Sequence, residues 1–265
     1  MRLCLLAAVS ALLLHATAAA EVTIDGPYHY TITKDEGTGD PCITSSWGGS
    51  WCGYLATVQT GPRDLFHEMT FEIYTEDYFT PENVGHLAVA VRADGVTQLG
   101  GTNGLPYDLR GSGMVIGSIQ GYPDSGQCTP TSKPNTTALE EMWARGNCVF
   151  GDRTEGPELF NGTRYRFRVS SELASEMLCL SRSCDVYNFV TTAYDAWEWK
   201  GGSWSHLTRQ SITKLADFNP SPEDLAGVFI KPALSQHAWT MRLENLVIYT
   251  CEREETPCSG LSPNE

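Results

Sequence analysis

Hydrophobic and polar residues alternate with a period of two along much of this chain, a pattern typical of β-strands with one buried face. In the clearest run, from Thr163 to Ser170, Tyr165, Phe167 and Val169 alternate with arginines. Because turns rich in Gly, Pro, Asn and Asp separate such runs, the pattern predicts an all-β sandwich or barrel. Further strands are predicted within residues 21–35, 65–74, 85–122, 185–199, 225–232 and 239–250.

Two segments are candidates for a helix, residues 137–143 and residues 170–179. The segment 137–143, TALEEMW, begins with the Thr-x-x-Glu pattern of a helix capping box, and its leucine, methionine and tryptophan would share a helical face. As a strand, the same segment would place Glu141 and Trp143 on one side. We therefore expect an all-β domain in which helix is confined to short pieces near residues 138–145 and 170–178.

The run from Gly85 to Tyr122 contains two predicted strands around a loop rich in Gly, Asn and Pro. In its first strand, GHLAVAVRADG, Val89 and Val91 fall on one face with a leucine, and His86 and Arg92 fall on the other. The aliphatic face is predicted to enter the core, which leaves the histidine and the arginine on a polar face.

The first twenty residues have the organisation of a targeting segment. They begin with Met-Arg, continue with an apolar run and end in three alanines. This pattern predicts a secretory signal peptide, residues 1–20, cleaved before Glu21. The apolar run is too short to span a bilayer, and no later stretch approaches the ~18 apolar residues of a membrane helix. We expect a secreted, extracellular protein with one β-sandwich domain at 21–250 and a tail at 251–265.

The charge of the chain limits its partners. Lys and Arg number 18 and Asp and Glu number 32, which gives a net charge of −14 at pH 7. A strongly acidic chain is repelled by the phosphates of nucleic acids and by anionic membranes. We therefore expect neither as a partner.

The cysteine content agrees with export to an oxidising compartment. Of nine cysteines, eight lie outside the predicted signal peptide, and an even number favours disulfides. No CxxC pair is present and no histidine accompanies a close cysteine pair, so zinc is not expected. Spacing favours local pairs that close short loops, although it does not fix the connectivity. The pairs are Cys42 with Cys52, Cys128 with Cys148, Cys179 with Cys184, and Cys251 with Cys258.

Short motifs indicate two kinds of surface chemistry. The sequons that begin at Asn135 and Asn161 would place both asparagines on the surface if the host glycosylates them. Asp94 and Asp108 lie in acidic, Gly-rich loops that offer oxygen ligands for structural calcium, but no EF-hand spacing supports a site. We therefore expect no cofactor.

Four segments carry a family resemblance: GHLAVAVRADG and RGSGMVIGS, then GTRYRFRVSS, and finally AWTMRLENLVIY. In order and character, over residues 22–250, they resemble the concanavalin A-like lectin/glucanase superfamily, particularly its bacterial secreted members of unknown activity. The resemblance implies a jelly-roll β-sandwich of two antiparallel sheets, stacked ~10 Å apart, with an outer surface open to a glycan. A pair of immunoglobulin-like sandwiches is the alternative, which the missing linker disfavours.

Glycosidases of this superfamily often carry an E-x-D-x-E strand motif, which FEIYTED matches only in part. Glu72 and Glu76 are in place, but Tyr74 stands where the central Asp belongs. Residues four apart on a strand are separated by ~13 Å, and Glu68 and Glu72 have the same spacing. Retaining and inverting glycosidases need carboxyl separations of ~5–5.5 Å and ~6.5–9.5 Å. The motif therefore predicts no catalytic pair on this strand, while a pair from different strands stays open.

A polysaccharide lyase is the second enzymatic alternative. A lyase needs a base and a group that neutralises the uronate carboxylate. Residues of suitable type are His86, Arg92, Arg166, Tyr194 and Arg242. The tighter Gln-Ile-His strand motif of related lyases is missing, so binding is favoured over catalysis.

Aromatic residues favour sugar binding. AWEWKGGSW contains Trp197, Trp199 and Trp204, and such rings stack on sugar faces while their N–H groups serve hydroxyls. Trp197 and Trp199 share a strand face that would alternatively point into the core. Trp47 and Trp51 form a second possible platform in SSWGGSWCGY.

Together these patterns predict a secreted, lectin-like domain that binds an extracellular polysaccharide. A hydrolase or lyase is the first alternative, and a structural or interaction protein without sugar affinity is the second. A floor of arginine and histidine would suit an anionic sugar, because a guanidinium holds a carboxylate or sulfate through two hydrogen bonds. The candidate ligand-binding residues are His86, Arg92, Glu141, Trp143, Arg166, Tyr194, Trp197, Trp199, Trp204 and Arg242.

Overall fold

The computed structural model describes strands and no helix in the residues that it covers, and within them the predicted all-β fold is confirmed. These residues are 22–37, 42–45, 50–52, 56–60, 66–80, 86–94, 109–117, 120–121, 129–130, 136–145, 148–150, 153–180, 183–215, 225–231 and 238–251. The strands are β1 (Val22–Lys34), β2 (Cys42–Ser45), β3 (Ser50–Cys52), β4 (Ala56–Thr60), β5 (Phe66–Glu76), β6 (His86–Asp94), β7 (Leu109–Gly117), β8 (Gln120–Gly121), β9 (Thr129–Pro130), β10 (Thr136–Arg145), β11 (Cys148–Phe150), β12 (Arg153–Glu158), β13 (Arg164–Leu180), β14 (Ser183–Lys200), β15 (Ser203–Leu215), β16 (Leu225–Lys231) and β17 (Trp239–Cys251).

The strands form two large antiparallel sheets. The larger has eight strands in the order β15-β14-β13-β5-β17-β1-β2-β3. The smaller has seven, in the order β11-β10-β7-β6-β16-β4 with β12 beside β10, and β8 pairs separately with β9. The predicted jelly-roll sandwich of two antiparallel sheets is confirmed.

The expectation of helix near residues 138–145 and 170–178 is wrong, because both segments are strands. Residues 138–145 lie in β10, which pairs with β7 from Thr137 opposite Ile116 onwards. Residues 170–178 lie in β13, in a long hairpin with β14. Over so few residues a helical pattern cannot be distinguished from a strand by sequence, and here cross-strand pairing decides.

The hydrophobic core lies between the two large sheets. The larger sheet contributes Phe71 and Phe167, whose rings stack with centroids 5.4 Å apart. The smaller sheet contributes Val89 and Val91, as the alternation in β6 predicts. The other buried core residues are Tyr30, Ile32, Met69, Ile73, Tyr78, Met114, Ile116, Leu159, Tyr165, Val169, Tyr194, Ala196, Trp239, Met241, Leu243, Leu246 and Ile248.

A β-bulge in β17 changes which residues of that strand face the core. Met241 and Leu243 are buried before the bulge, and Leu246 and Ile248 are buried after it, so the alternation shifts by one residue. Asn245 lies at the shift with φ of 53°, a left-handed conformation that asparagine tolerates better than most residues.

Gly26 of β1 lies against this bulge. Its φ of 116° is strained for residues with a side chain. A Cβ at this position would also collide with the carbonyl oxygen of Leu246. Glycine is therefore required here by both conformation and space.

One predicted disulfide, Cys179–Cys184, is present at the tip of the β13–β14 hairpin. Cys42 is also disulfide-bonded, and it lies opposite Cys52 in the register of β2 and β3. Cys148 and Cys251 lie in β11 and β17.

Other sequence predictions fall outside the described residues. They concern the signal peptide, residues 1–20, the tail beyond residue 251, and Trp47, Asp108, Cys128, Asn135 and Cys258. In the described part of the chain, no helix is long and apolar enough to cross a membrane.

Candidate functional site

The outer face of the larger sheet, the surface opposite the core, carries a concentration of charged and aromatic residues. Tyr165 and Phe167 of β13 are buried in the core. Arg164, Arg166 and Arg168 alternate with them and therefore project from the outer face. Antiparallel register places these arginines in three rows that cross neighbouring strands.

The middle row consists of Glu244, Glu72, Arg166, Trp197 and His206, on β17, β5, β13, β14 and β15. Arg166 donates hydrogen bonds from Nη2 and Nε to Glu72 Oε1, at 2.7 and 3.1 Å. The carboxylate of Glu72 is buried beneath these groups. Trp197 and His206 meet edge to face with ring centroids 5.5 Å apart.

The end row, nearest the β14–β15 turn, consists of Arg242, Tyr74, Arg164, Trp199 and Trp204. Register pairs Tyr74 with both arginines, and pairs Trp199 with Trp204. The guanidinium of Arg242 lies 5.5 Å from the centroid of the Tyr74 ring. The two indoles meet edge to face at 5.2 Å. This row brings the aromatic and the cationic candidates together.

The third row is formed by acidic and basic residues around Asp195. Arg168 donates a hydrogen bond from Nη2 to Asp195 Oδ2 at 2.8 Å. His206 Nε2 lies 3.4 Å and Arg209 Nε 4.0 Å from Asp195 Oδ1. A single buried carboxylate is thus surrounded by three basic side chains.

Glu68 lies beside this third row in a less satisfied environment. Its Oε2 is 3.8 Å from Arg168 Nε, and its Oε1 has no hydrogen-bond partner. The residue is 8% exposed. Burial raises the pKa of Glu68 to about 7, Arg168 lowers it and Asp195 raises it further. A proton is therefore retained on this carboxyl group at pH values where most glutamates are ionised.

A cavity of about 630 Å³ opens at the end row. Trp199 forms part of its wall and is 44% exposed. Basic side chains, which donate hydrogen bonds, and acidic side chains, which accept them, surround the indole. The lining residues are Tyr74, Glu76, Gly162, Thr163, Arg164, Glu198, Trp199, Lys200, Gly201 and Arg242.

Asn161 fixes the turn that supplies one wall of this cavity. Its Oδ1 accepts hydrogen bonds from Thr75 Oγ1 at 3.1 Å and from the backbone N–H of Phe79 at 3.0 Å. Its Nδ2 donates to the Phe79 carbonyl at 3.4 Å. The Gly162 N–H donates to the Thr75 carbonyl at 2.9 Å. The predicted sequon at Asn161 is therefore a hydrogen-bonded turn in this structure.

Two aromatic candidates have roles that sequence did not predict. Tyr194 is 0% exposed and lies in the core, so its assignment as a ligand-binding residue is wrong. Alternation in β14 does place Tyr194 on the face opposite Trp197 and Trp199, but it does not show which of the two faces is buried. The face of Trp204 is covered by Arg166, whose guanidinium carbon lies 4.3 Å from the ring centroid. Trp199 is left as the accessible indole of the cavity.

Four other candidates lie in the smaller sheet. His86 and Arg92 are in β6, and Glu141 and Trp143 are in β10. Of the four basic candidates for a polar floor, Arg166 and Arg242 therefore share a sheet, and His86 and Arg92 lie in the other. Alternation indicates the face of a strand to which a residue belongs, but not the sheet to which the strand belongs.

Some residues of the cavity were missed by the sequence analysis. Arg164 shares the arginine alternation of Arg166 and was recognisable from that pattern. Tyr74 was noted only as a departure from a catalytic motif. Lys200 and Gly201 reach the cavity because they lie at the β14–β15 turn, and the sequence does not show that this turn is at the same end of the sheet as Tyr74 and Arg242.

Among the described residues, no group of three or more His, Cys, Asp or Glu side chains is arranged to hold a metal ion. Asp94 is the last residue of β6. The acidic residues of the outer face form ion pairs with arginines, as described above.

Comparison with known proteins finds similarity at the level of structure only. No protein-family profile and no curated protein matches the sequence. The exoplasmic/lumenal domain of VIP36, solved with Ca²⁺ and Man3GlcNAc, is 11% identical, with a TM-score of 0.43 over 89% of this chain and 86% of its own. Lectin I from Ulex europaeus, in complex with the methyl glycoside of α-L-fucose, is 12% identical, with a TM-score of 0.39 over 86% and 92%.

The seed lectin of Lotus tetragonolobus is 8% identical, with a TM-score of 0.39 over 89% of this chain and 94% of its own. These three proteins have the concanavalin A-like lectin fold, the superfamily that the sequence resembles. At such identities and TM-scores, the similarity assigns no ligand and no activity to this chain.

Proposed function

We propose that this chain is a carbohydrate-binding β-sandwich and that the cavity at the end row of the outer face is its binding site. The observation that carries the proposal is the exposed indole of Trp199 in a cavity that also contains Arg164, Arg242 and Glu76. The apolar face of a sugar ring stacks on an indole, while its hydroxyls need both donors and acceptors. The cavity offers both within one surface.

The charge balance of the face favours a neutral glycan over an anionic one. Among the described residues, the ion pairs of this face join five arginines to five carboxylates. An arginine that already holds a carboxylate has less capacity to bind a second anion. Oriented arginine and glutamate side chains remain good partners for hydroxyl groups. The proposed ligand is therefore a neutral polysaccharide, in place of the acidic one that arginines alone would favour.

We also propose that the protein meets this polysaccharide outside the cell. The support is the predicted signal peptide together with the Cys179–Cys184 disulfide, since disulfides persist in oxidising compartments.

A glycan-array screen of the mature, disulfide-intact protein, followed by calorimetric titration, tests the binding function. Trp199→Ala is expected to weaken binding of a neutral oligosaccharide found on the array by about tenfold, through loss of ring stacking. Phe160→Ala is the matched control, because this exposed ring does not line the cavity. The proposal would be overturned if the protein bound no neutral glycan on the array, or if Trp199→Ala and wild type bound with equal affinity.

A further inference from the structure

The β13–β14 hairpin extends beyond the strands that flank it. β5 pairs with β13 as far as Glu172, and β15 pairs with β14 only from Phe189. Among the described residues, 175–180 and 183–188 form strand pairs only with each other. This two-stranded extension, the arm, is roughly 20 Å long at ~3.3 Å per residue. The Cys179–Cys184 disulfide closes its tip.

The two faces of the arm differ in polarity. Met177 and Val186 stand opposite each other in register and are 67% and 63% exposed. They continue the alternation of the core residues of β13, but lie beyond the part of the sheet that is buried. Glu176 and Asp185 are exposed on the opposite face. The first face therefore has an exposed apolar pair beside the partly exposed Asn188, and the second has two acidic residues beside the partly exposed Tyr187.

The outer edge of β13 is the second feature of the arm. Along residues 175–180 no third strand among the described residues pairs with it. An unpaired edge offers backbone N–H and C=O groups to an added strand. Exposed apolar residues beside such an edge mark an interaction surface.

The charge of the arm determines the chemistry of its partner. The charged residues in the described part of the arm, Glu176 and Asp185, are both acidic. The sequence between its two strands adds one basic residue, Arg182, and the whole chain has a net charge of −14. A second copy would bring like charges together. We propose that the arm binds an extended segment of a basic protein by strand addition along β13, with alternate side chains apolar on the Met177 face and basic on the Glu176 face.

Synthetic peptides of two types test this proposal with the full mature, disulfide-intact protein. One peptide alternates valine and lysine, and the other has the same composition in scrambled order. Fluorescence anisotropy is expected to detect tighter binding of the alternating peptide, because only that order separates apolar and basic side chains onto two faces of a strand. Equal affinity for the two peptides would overturn the proposal.

Substitutions on each face locate the binding. Met177→Lys and Glu176→Lys are each expected to weaken binding of the alternating peptide by about tenfold, through loss of an apolar contact or of an ion pair. Glu36→Lys makes the same charge change at an exposed position outside the arm and is the control. If Glu36→Lys weakens binding as much as Glu176→Lys, the attraction is general and the proposal fails. Self-association that Met177→Lys abolishes would instead identify a second copy as the occupant.

Discussion

At the scale of single residues, Glu68 differs from the other carboxylates described on the outer face. Arg168 makes its shorter contact, 2.8 Å, with Asp195, and lies 3.8 Å from Glu68. Glu68 Oε1 is left without a hydrogen-bond partner in a buried position. An ionised carboxylate in such a position is destabilising, because it loses solvation without full compensation.

Stability is therefore expected to fall as pH rises from about 5 to 8. The folded-state pKa of Glu68, about 7, lies above the ordinary value of 4.5, so the folded protein binds the proton more tightly than the unfolded chain. Above pH 7 the folded state must ionise this group. Between these pH values, the free energy of unfolding is expected to fall by roughly 2–3 kcal/mol less in Glu68→Gln than in the wild type. Urea unfolding at about pH 5 and about pH 8 measures this difference. A wild type and a variant with the same pH dependence would contradict this expectation.

Glu72 is expected to determine the charge preference of the outer face. It accepts two hydrogen bonds from Arg166, and its Oε2 lies 3.8 Å from Arg164 Nη1. Glu72→Gln leaves these arginines under-compensated, so we expect a loss of about 1–2 kcal/mol in the free energy of unfolding. The same change is expected to raise affinity for a sulfated or uronate polysaccharide, measured by titration. Glu36→Gln, at an exposed position outside the outer face, serves as the control, and equal gains in the two variants would contradict a local effect.

At the scale of elements, the disulfide at the tip of the arm is expected to stabilise the arm and not the sandwich. A two-stranded hairpin is marginally stable alone, and the arm residues are not part of the described core. Replacing both Cys179 and Cys184 by Ser should leave the thermal midpoint of the sandwich within about 2 °C of wild type. Hydrogen exchange in residues 175–188 should become faster, since local opening is no longer limited by the cross-link. A large cooperative loss of thermal stability would show that the disulfide supports the core.

The sequence predicted the direction of many side chains but not the partners of the strands. Alternation assigned Phe167 to the core and Arg166 to the opposite face correctly, because that assignment depends only on neighbouring residues. It did not place His86 and Arg166 in different sheets, because strand order depends on contacts between distant parts of the chain. The helix expected near residues 138–145 failed for the same reason, since pairing with β7 overrides a weak local pattern.

At the scale of the whole molecule, residues of both sheets share the core described here. Val89 and Met114 of the smaller sheet pack in the same cluster as Phe71 and Phe167 of the larger sheet. Neither sheet can bury its apolar face without the other. We therefore expect a single cooperative unfolding transition by calorimetry, with equal calorimetric and van't Hoff enthalpies. Two resolved transitions would contradict a shared core.

The cavity depends on the whole fold, which limits how much of it sequence predicts. Its lining comes from β5, β13, β14 and β17, together with the turns at Gly162 and Gly201. Trp199 and Arg242 were recognised as candidates from residue type and alternation. Their proximity was not predicted, since it results from the strand order β14-β13-β5-β17.

The bulge at Asn245 has a consequence for how this chain tolerates genetic change. The extra residue shifts the two-residue alternation of β17, so the buried residues have odd numbers before the bulge and even numbers after it. Deletion of Asn245 would remove the extra residue, so Leu246 and Ile248 would continue the alternation of Met241 and Leu243 and still face the core. Deletion of Val247 would instead turn Ile248 toward solvent. Replacement by Gly would keep the left-handed backbone. In a library of variants, loss of the codon for Val247 should therefore be selected against more strongly than loss of the codon for Asn245.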